Sequence, residues 1–349
     1  MGMTSSSVSK SGALRIERWT KTAVIAMGAI VLALIVLAFG PMFLSADAVS
    51  SLTRLFIYVI LAVMWNALAG YGGMVSIGQQ GFFGLGAYLV IRLAGFGLNP
   101  YLAILAGAVG VGILSVPISA IILKLTEGRF AIATWVVSEL TVLLIMFDPT
   151  INGETGTSLA QLMTYSPPVH RALTYWSALS FMIALLAIMF VLLRSPIGAS
   201  IQAIRDDMDA AEAVGVKVLS TKRILYVLAA FGAAVAGALW VASTITFQPT
   251  SFFSVQWSAF MIFMALVGGI GTFEGAIIGA IIFFLVENFL GSTGVWYLIF
   301  LGATALAFAL FLPRGIWGTV ERRFGVNLLP VGYRVRQTEA LRAHSSRRP

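Results

Sequence analysis

Residues 224–246 read ILYVLAAFGAAVAGALWVASTIT, a run of 23 residues without a charged side chain. About 20 apolar residues are enough for an α-helix to cross the hydrocarbon core of a bilayer. Lys222 and Arg223 directly precede the run, and basic residues commonly flank membrane spans on the cytoplasmic side. The segment therefore predicts a membrane-spanning helix.

The composition of the whole chain agrees with this prediction. Of its 349 residues, 59% are hydrophobic and 10% are charged, and the mean hydropathy is +0.95. Soluble domains carry roughly 25% charged residues, because a water-exposed surface needs them. The composition excludes a soluble globular domain, a disordered chain and a coiled coil. The apolar runs are continuous rather than alternating, which favours helices over a transmembrane β-barrel.

Ten apolar segments of this kind can be found along the chain. We predict an all-α polytopic membrane protein with about ten transmembrane helices, at residues 23–44, 52–69, 76–94, 101–123, 130–147, 174–193, 224–246, 255–271, 274–290 and 295–312. Ala46-Asp47-Ala48 could mark a signal-peptide cleavage site after the first segment. A signal peptide has an apolar region of about 7–15 residues, so a retained helix is the better interpretation.

The distribution of Lys and Arg predicts the orientation. If the N-terminus is cytoplasmic, nineteen of the 22 basic residues lie on the cytoplasmic side, and only Arg54, Arg92 and Arg171 do not. We therefore predict that both termini are cytoplasmic. The chain divides into a cytoplasmic N-terminal tail at 1–22, a transmembrane domain at 23–313 and a basic cytoplasmic tail at 314–349. The charged loop at 194–223 is then internal, and the polar segment at 148–171 is external.

Several kinds of chemistry have no sequence signature here. The chain has no cysteine and two histidines, so we predict no metal site and no cofactor bound by this chain. It has no G-x-x-x-x-G-K-[ST] phosphate loop, and no G-x-S-x-G or H-E-x-x-H motif of an intramembrane enzyme. The net charge of +8 lies mostly beside apolar runs, which indicates membrane topology rather than nucleic-acid binding.

The internal loop predicts two short helices. Ser195 is a suitable N-cap and Pro196 suits the first helical position. Apolar residues recur at helical spacing from Ile197 to Ile204. Such a helix pair with an apolar stripe could dock into a groove of a partner protein. The alternative is a solvated linker whose positive charges hold it inside.

The second of these helices is expected at Ala210–Val214. Asp209 can cap it, and Glu212 stands three residues later, as in a capping box. Alanines favour the helix, and Gly215 is a natural stop because glycine readily adopts the left-handed conformation.

Glycine-rich stretches and one carboxylate stand out within the spans. Seven glycines crowd residues 70–86, which predicts either close helix packing or irregular backbone beside a pathway. Gly271, Gly275 and Gly279 form two G-x-x-x-G steps that favour a packed helix face. Glu139 lies inside an apolar run, where a charge is costly, so it is a candidate pathway residue. The alternatives are that it pairs with a basic residue or stays protonated.

The sequence of the internal loop resembles the EAA loop of ABC importer permeases. The segment 195–215 is similar to that of the LivM-type branched-chain amino acid permeases, with Ser-Pro-x-Gly-x-x-x-x-Ala-Ile-Arg leading into Ala-Ala-Glu-Ala-x-Gly. The resemblance implies a coupling helix that docks onto an ATPase subunit. The residues expected at that contact are Ile201, Arg205, Asp206, Asp209, Ala211, Glu212 and Gly215.

Further motifs between residues about 50 and 320 resemble the same family. The segment from Asn66 to Tyr88 is similar to the family's glycine-rich pattern, Phe130–Thr134 to its Phe-Ala-Ile-x-Thr segment, and Gly268–Thr272 to its Gly-Gly-x-Gly turn. Leu312-Pro313-Arg314-Gly315 matches its ending. Asn66, Gln79 and Thr134 lie in these motifs. Together with Glu139 they are the expected substrate-pathway residues. The chain departs from the family at Gln79, where His is frequent, and at 152–158, where Thr-Gly-Gly-x-x-Gly is common.

The resemblance implies an importer subunit in a bacterial plasma membrane. Its expected partners are a second, LivH-like permease, two ATPase subunits that use ATP, and an external solute-binding protein. The expected cargo is branched-chain or related amino acids, with urea, short amides or small carboxylates as alternatives. A different class, an ion-coupled secondary transporter, would have to use Glu139 as its central coupling residue.

Overall fold

The structure, a computed structural model, describes residues 15–17, 21–324, 329 and 334–336. Within these ranges the chain is mostly helical. The first helices are α1 (Lys21–Ala38), α2 (Gly40–Phe43), α3 (Ala46–Asn66), α4 (Gln79–Gly95), α5 (Pro100–Ile122), α6 (Glu127–Met146) and α7 (Pro167–Arg194). They are followed by α8 (Pro196–Asp206), α9 (Met208–Ala213), α10 (Val218–Thr244), α11 (Pro249–Phe252), α12 (Gln256–Gly268), α13 (Phe273–Leu290), α14 (Val295–Phe311) and α15 (Gly315–Phe324).

Short elements fill the gaps between the helices. A π-helical turn at Ala67–Tyr71 continues α3. Two antiparallel pairs are formed by the strands β1 (Arg15–Glu17), β2 (Thr157–Ser158), β3 (Thr246–Phe247) and β4 (Arg334–Arg336), with β1 beside β4 and β2 beside β3. Single 3₁₀ turns lie at Pro149–Ile151, Gly153–Thr155, Ala160–Thr164 and Gly291–Thr293.

The structure confirms the all-α polytopic fold. Eight helical segments in the described ranges are long and apolar enough to cross a membrane. The shorter apolar α1 and the 17-residue α4 bring the long helices to ten, each overlapping one predicted segment. The predicted N-terminal tail falls mostly outside the described residues. The tail expected from residue 314 begins as α15, and most of its remainder is not described.

Very close packing is found where α4 crosses α10. A Cβ atom on Gly237 would stand 1.8 Å from the carbonyl oxygen of Phe83, and one on Gly86 would stand 2.2 Å from that of Ala234. Both positions therefore require glycine. Small residues let helix backbones approach closely in membranes, where van der Waals contact rather than hydrophobic burial holds helices together. This crossing places α10 at the centre of the bundle.

A second close contact joins α12 and α13. A Cβ atom on Gly279 would stand 1.8 Å from the carbonyl oxygen of Met264, and one on Gly275 would stand 2.9 Å from that of Gly268. These two glycines lie on the packed face of α13. Gly271 does not, because it precedes the helix, in a turn where its φ is +78°. Of the predicted G-x-x-x-G face, the structure therefore places only the last two glycines on a helix.

Candidate coupling site and solute pathway

The first helix of the internal loop, α8, begins as its sequence predicts. The Oγ of Ser195 accepts a hydrogen bond from the backbone N–H of Gly198 at 3.3 Å, and Pro196 is the first helical residue. A Cβ atom on Gly198 would collide with the carbonyl oxygen of Leu193, so α8 folds back closely onto the end of α7.

The second helix, α9, begins two residues earlier than expected, at Met208. Its N-cap is Asp207, whose Oδ1 accepts a hydrogen bond from the N–H of Ala210 at 2.9 Å. The prediction that Asp209 caps this helix is wrong, because Asp209 already lies in its first turn. Asp207 has the extended backbone, with ψ of 111°, that an N-cap needs.

The end of α9 follows the expected glycine stop. Gly215 has a φ of +90°, its N–H donates to the carbonyl of Glu212, and the N–H of Val216 donates to that of Ala211. These two bonds form a Schellman motif, in which a left-handed residue satisfies the last carbonyls of a helix. The motif turns the chain sharply from α9 into α10.

The predicted docking residues separate into buried and exposed groups. Ile201 and Ala211 are only 2% and 3% exposed, and Ile201 lines a narrow crevice with Gly72 and Leu225 of the same chain. Ile201 and Ile204 of the apolar stripe thus pack inward and are not available to a partner, contrary to expectation, whereas Ile197 is exposed. Asp206, Asp209, Glu212 and Gly215 are exposed. The outward surface of the helix pair therefore carries acidic side chains together with the exposed Ile197 and Val214.

Arg205 connects the helix pair to the membrane bundle. Its Nη1 donates to the carbonyl oxygen of Gly70 at 3.0 Å, while Nε and Nη2 donate to Oδ1 of Asp206 at 2.9 and 2.7 Å. Gly70 belongs to the π-helical turn that ends α3. One guanidinium therefore bridges the surface of α8 and the end of a spanning helix.

Asn66 holds the same junction from inside the bundle. Its Oδ1 accepts from the N–H of Gly271 at 2.8 Å, and its Nδ2 donates to the carbonyl of Thr272 at 2.9 Å. The side chain is 1% exposed and both of its polar atoms are bonded to the turn between α12 and α13. Asn66, expected along the pathway, is placed here as a clamp between α3 and that turn.

Gln79 and Thr134 are also buried, near the start of α4. The Nε2 of Gln79 donates to the carbonyl of Ala229 at 3.2 Å, and Thr134 Oγ1 accepts from the N–H of Ile77 at 3.3 Å. The crevice beside Thr134 has a volume of about 20 Å³, which is room for about one water molecule. In this conformation these two residues line no space for a solute.

Glu139 lies on the outer surface of α6 rather than inside the chain. Its Oε1 accepts a hydrogen bond from the indole N–H of Trp135 at 2.9 Å, and both residues are exposed. The surrounding surface is apolar, with Ile132, Leu140 and Leu143 more than half exposed. The structure therefore does not bring the four predicted pathway residues together in one cavity.

An open cavity that was not predicted lies at the other end of the bundle from α8 and α9. Its volume is about 660 Å³, within the range of small-molecule sites. Hydroxyl and amide groups contribute to its lining, among them Thr157, Thr244, Thr246 and Gln248. Gly156 permits the β2–β3 pairing beside it, because a Cβ atom there would stand 2.0 Å from the carbonyl oxygen of Phe247. In the sequence, the only feature that pointed to this cavity was the departure from the family pattern at 152–158.

Comparison with known families identifies the chain. A family model described as "Branched-chain amino acid transport system / permease component" matches residues 47–309, three quarters of the sequence. The chain belongs to this family. The resemblance noted in the internal loop and glycine motifs is thereby confirmed, and the chain is a permease component of the ABC transporter class.

Two LivM proteins agree with this assignment. The High-affinity branched-chain amino acid transport system permease protein LivM of Escherichia coli (strain K12) is 25% identical over 318 residues, covering 81% of this chain and 73% of that protein. The "Probable branched-chain amino acid transport permease protein LivM" of Methanocaldococcus jannaschii is 23% identical over 284 residues, covering 70% and 81%. A solved structure described as an inward-facing ABC transporter assigned to the metal-chelate type covers 78% of this chain and 91% of its own, with 14% identity and a TM-score of 0.45.

Proposed function

We propose that this chain is one of two permease subunits of an importer that carries branched-chain or related amino acids into the cell. A second, LivH-like permease completes the pore, two ATPase subunits hydrolyse ATP, and an external binding protein delivers the solute. The chain lies in the plasma membrane, with both termini and the α8–α9 pair in the cytoplasm. The family match supports the class, and the distribution of basic residues supports the orientation.

The single observation that carries the proposed coupling is the link from Arg205 to Gly70. The exposed acidic surface of α9 offers a contact to an ATPase, while Arg205 ties α8 to the end of α3. A displacement of the helix pair therefore reaches a spanning helix through a charged hydrogen bond and through the buried Ile201. At this partly exposed site such a bond is worth about 1 kcal/mol, and it couples the two elements together with the packing of Ile201.

The solute pathway in this proposal lies at the face of α6 that carries Glu139. A carboxylate facing lipid at bilayer depth costs of order 2.5–3.5 kcal/mol, so a polar environment there is expected. The second permease subunit supplies that environment if it packs against α6. Glu139 then lines a route between two subunits, which is compatible with its exposure in the single chain.

Uptake into proteoliposomes tests the proposed function. The vesicles contain this chain, its partner permease and the ATPases, with the binding protein and labelled leucine outside. We expect leucine uptake to require ATP on the side of the ATPases. Excess isoleucine or valine should inhibit this uptake, whereas urea and acetamide should not. Uptake without ATP under an imposed proton or sodium gradient would contradict the importer and favour a secondary transporter. Inhibition by urea or acetamide alone would contradict the cargo.

A further inference from the structure

A second open cavity lies close to the first, beside α12 and α14. Its volume is about 740 Å³, and it shares Trp240 and Ser251 with its neighbour. Its lining combines one acidic side chain with several aromatic rings, namely Glu287, Tyr58, Trp240, Trp257, Phe260 and Tyr297. No residue proposed above for coupling or for the pathway contributes to it.

The aromatic rings form a continuous wall. Ring centroids are 5.9 Å apart from Tyr58 to Trp240, 4.8 Å from Trp240 to Trp257, 5.9 Å from Trp257 to Phe260, and 6.2 Å from Phe260 to Tyr297. The face of an aromatic ring carries negative potential and attracts organic cations. Because five such rings line one cavity, the wall favours a cation with an apolar body.

Glu287 adds the one acidic side chain of this wall. Its Oε1 accepts a hydrogen bond from the hydroxyl of Tyr58 at 2.7 Å. Within the described ranges it forms no salt bridge, and Arg54, one turn before Tyr58, donates instead to Ser51. An ionisable residue inside a spanning helix usually serves a function, since its burial is costly. Arg54 is close enough to act on Glu287 through its charge, but among the described residues no cation is bonded directly to the carboxylate, and the ammonium group of a ligand could occupy that position.

The hydroxyl of Tyr297 is a second unfilled position. Tyr297 is 6% exposed, and its buried Oη has no hydrogen-bond partner among the described residues. Leaving such a group unpaired costs about 1–3 kcal/mol. A ligand with N–H donors would satisfy this oxygen while its charge faces Glu287.

We propose that this cavity binds a primary ammonium group. Glu287 neutralises the charge, Tyr297 accepts an N–H, and the aromatic wall covers the apolar part of the ligand. Inorganic cations fit less well, because Mg²⁺ and Ca²⁺ need several oxygen ligands and the cavity provides one carboxylate. The ammonium group belongs to a transported amino acid or to an aminophospholipid headgroup, and the first source rests on the proposed function.

Titration of tryptophan fluorescence tests this site, because Trp240 and Trp257 line it. The full chain is placed in phosphatidylglycerol nanodiscs and titrated with n-butylammonium, with butanol and butyrate as uncharged and anionic probes. We expect saturable binding of butylammonium only. Glu287→Gln keeps an acceptor for Tyr58 and should weaken binding at least tenfold, and Tyr297→Phe should weaken it severalfold. The exposed Glu154→Gln, outside the cavity, should bind like the wild type.

Equal binding of butanol, or unchanged affinity in both Glu287→Gln and Tyr297→Phe, would overturn the site. Two competition arms separate the sources. Displacement by isoleucine but not by N-acetylisoleucine indicates the amino acid, and a weaker apparent affinity in phosphatidylethanolamine discs indicates the lipid. Displacement by neither would overturn both assignments. Because butylammonium binding is measured without ATP or partners, failure of ATP-driven leucine uptake would contradict the proposed function and leave the ammonium site standing.

Discussion

Arg205 of α8 donates a hydrogen bond from Nη1 to the carbonyl oxygen of Gly70, 3.0 Å away at the π-helical end of α3. The two residues are 135 positions apart in the chain. Their contact gives the surface helix pair a direct polar connection to a spanning helix. In the proposed importer, this connection carries the movement of the ATPases into the membrane.

Replacing Arg205 should uncouple ATP hydrolysis from transport. We expect Arg205→Ala to lose about 1 kcal/mol of stability, because one charged hydrogen bond disappears from a partly exposed site. Uptake per ATP hydrolysed should fall at least about fivefold, the lower range of coupling energies between sites. The measurement is leucine uptake and phosphate release in the same proteoliposomes.

The matched control for this prediction is Arg129→Ala. Arg129 is exposed near the start of α6 and no hydrogen bond or salt bridge of its side chain is found in the described part of the chain. Arg129→Ala should keep the wild-type ratio of leucine uptake to ATP hydrolysed. A normal ratio in Arg205→Ala as well would show that the bond to Gly70 is not used in coupling.

Gly70→Ala should destabilise the same junction. Its new Cβ atom would stand 2.4 Å from the backbone nitrogen of Gly271 and 2.3 Å from Oδ1 of Asn66. Overpacking of this kind costs about 1–3 kcal/mol. Thermal unfolding of the purified chain should show the loss. Gly302→Ala, in a helix with open space at its Cβ position, should leave the unfolding temperature nearly unchanged, and equal behaviour of both variants would refute the close contact.

Glu139→Gln should impair transport without unfolding the chain. The amide oxygen can still accept the hydrogen bond from Trp135, so stability should change by less than about 0.5 kcal/mol. If Glu139 lines the pathway, uptake should fall severalfold or change its dependence on pH, whereas Glu154→Gln should behave normally. Uptake that equals the wild type from pH 5 to 8 would assign Glu139 a structural role.

Asp148, in the polar segment after α6, should make the stability of the fold depend on pH in the acidic range. Partial burial alone would raise its pKa, but hydrogen bonds from the Thr150 backbone, the Tyr88 hydroxyl and the Thr150 hydroxyl, with the charge of Arg92 at 3.4 Å, lower that pKa below its usual value. Because the pKa of Asp148 is lower in the folded than in the unfolded state, its ionised form stabilises the fold at pH values above the unfolded-state pKa of about 4. This stabilisation is lost as the pH falls through the folded-state pKa.

We therefore expect Asp148→Asn to lower the unfolding temperature by about 1 °C at pH 7, a typical effect of a partly exposed ion pair in a chain of this length. The difference from the wild type should shrink as the pH falls below about 4. A difference that stays constant between pH 7 and pH 3 would mean that the ionised carboxylate contributes nothing.

Local sequence signals predicted the spans and the start of α8 well. Uncharged runs such as 224–246 can satisfy their backbone only as helices in a membrane, and Ser195-Pro196 fixes the beginning of α8 through its own side chain and ring. These features depend on residues close in sequence. The positions of the spans and of the start of α8 could therefore be predicted without knowing how the helices pack.

Long-range contacts could not be predicted in the same way. The pattern of Ile201 gives an apolar stripe but does not say whether it faces a partner or its own chain, and the structure buries it against Gly72 and Leu225. Asn66 is likewise recognisable as a buried polar residue only once the turn at Gly271 is in place. Contacts between residues far apart in sequence therefore decide which predicted residues line the pathway and which join α8 and α3 to their neighbours.

The most direct test of the account is capture of the ATPase subunit by the acidic surface of α9. The double variant Asp209→Lys, Glu212→Lys reverses two exposed charges without touching Arg205 or the buried Ala211. We predict normal membrane insertion and normal association with the partner permease, but at least tenfold less ATPase co-purified and no ATP-driven leucine uptake. Arg129→Glu, a charge reversal near the same end of the bundle, should retain both. Wild-type capture and uptake in the double variant would contradict the proposal that this helix pair couples ATP hydrolysis to transport.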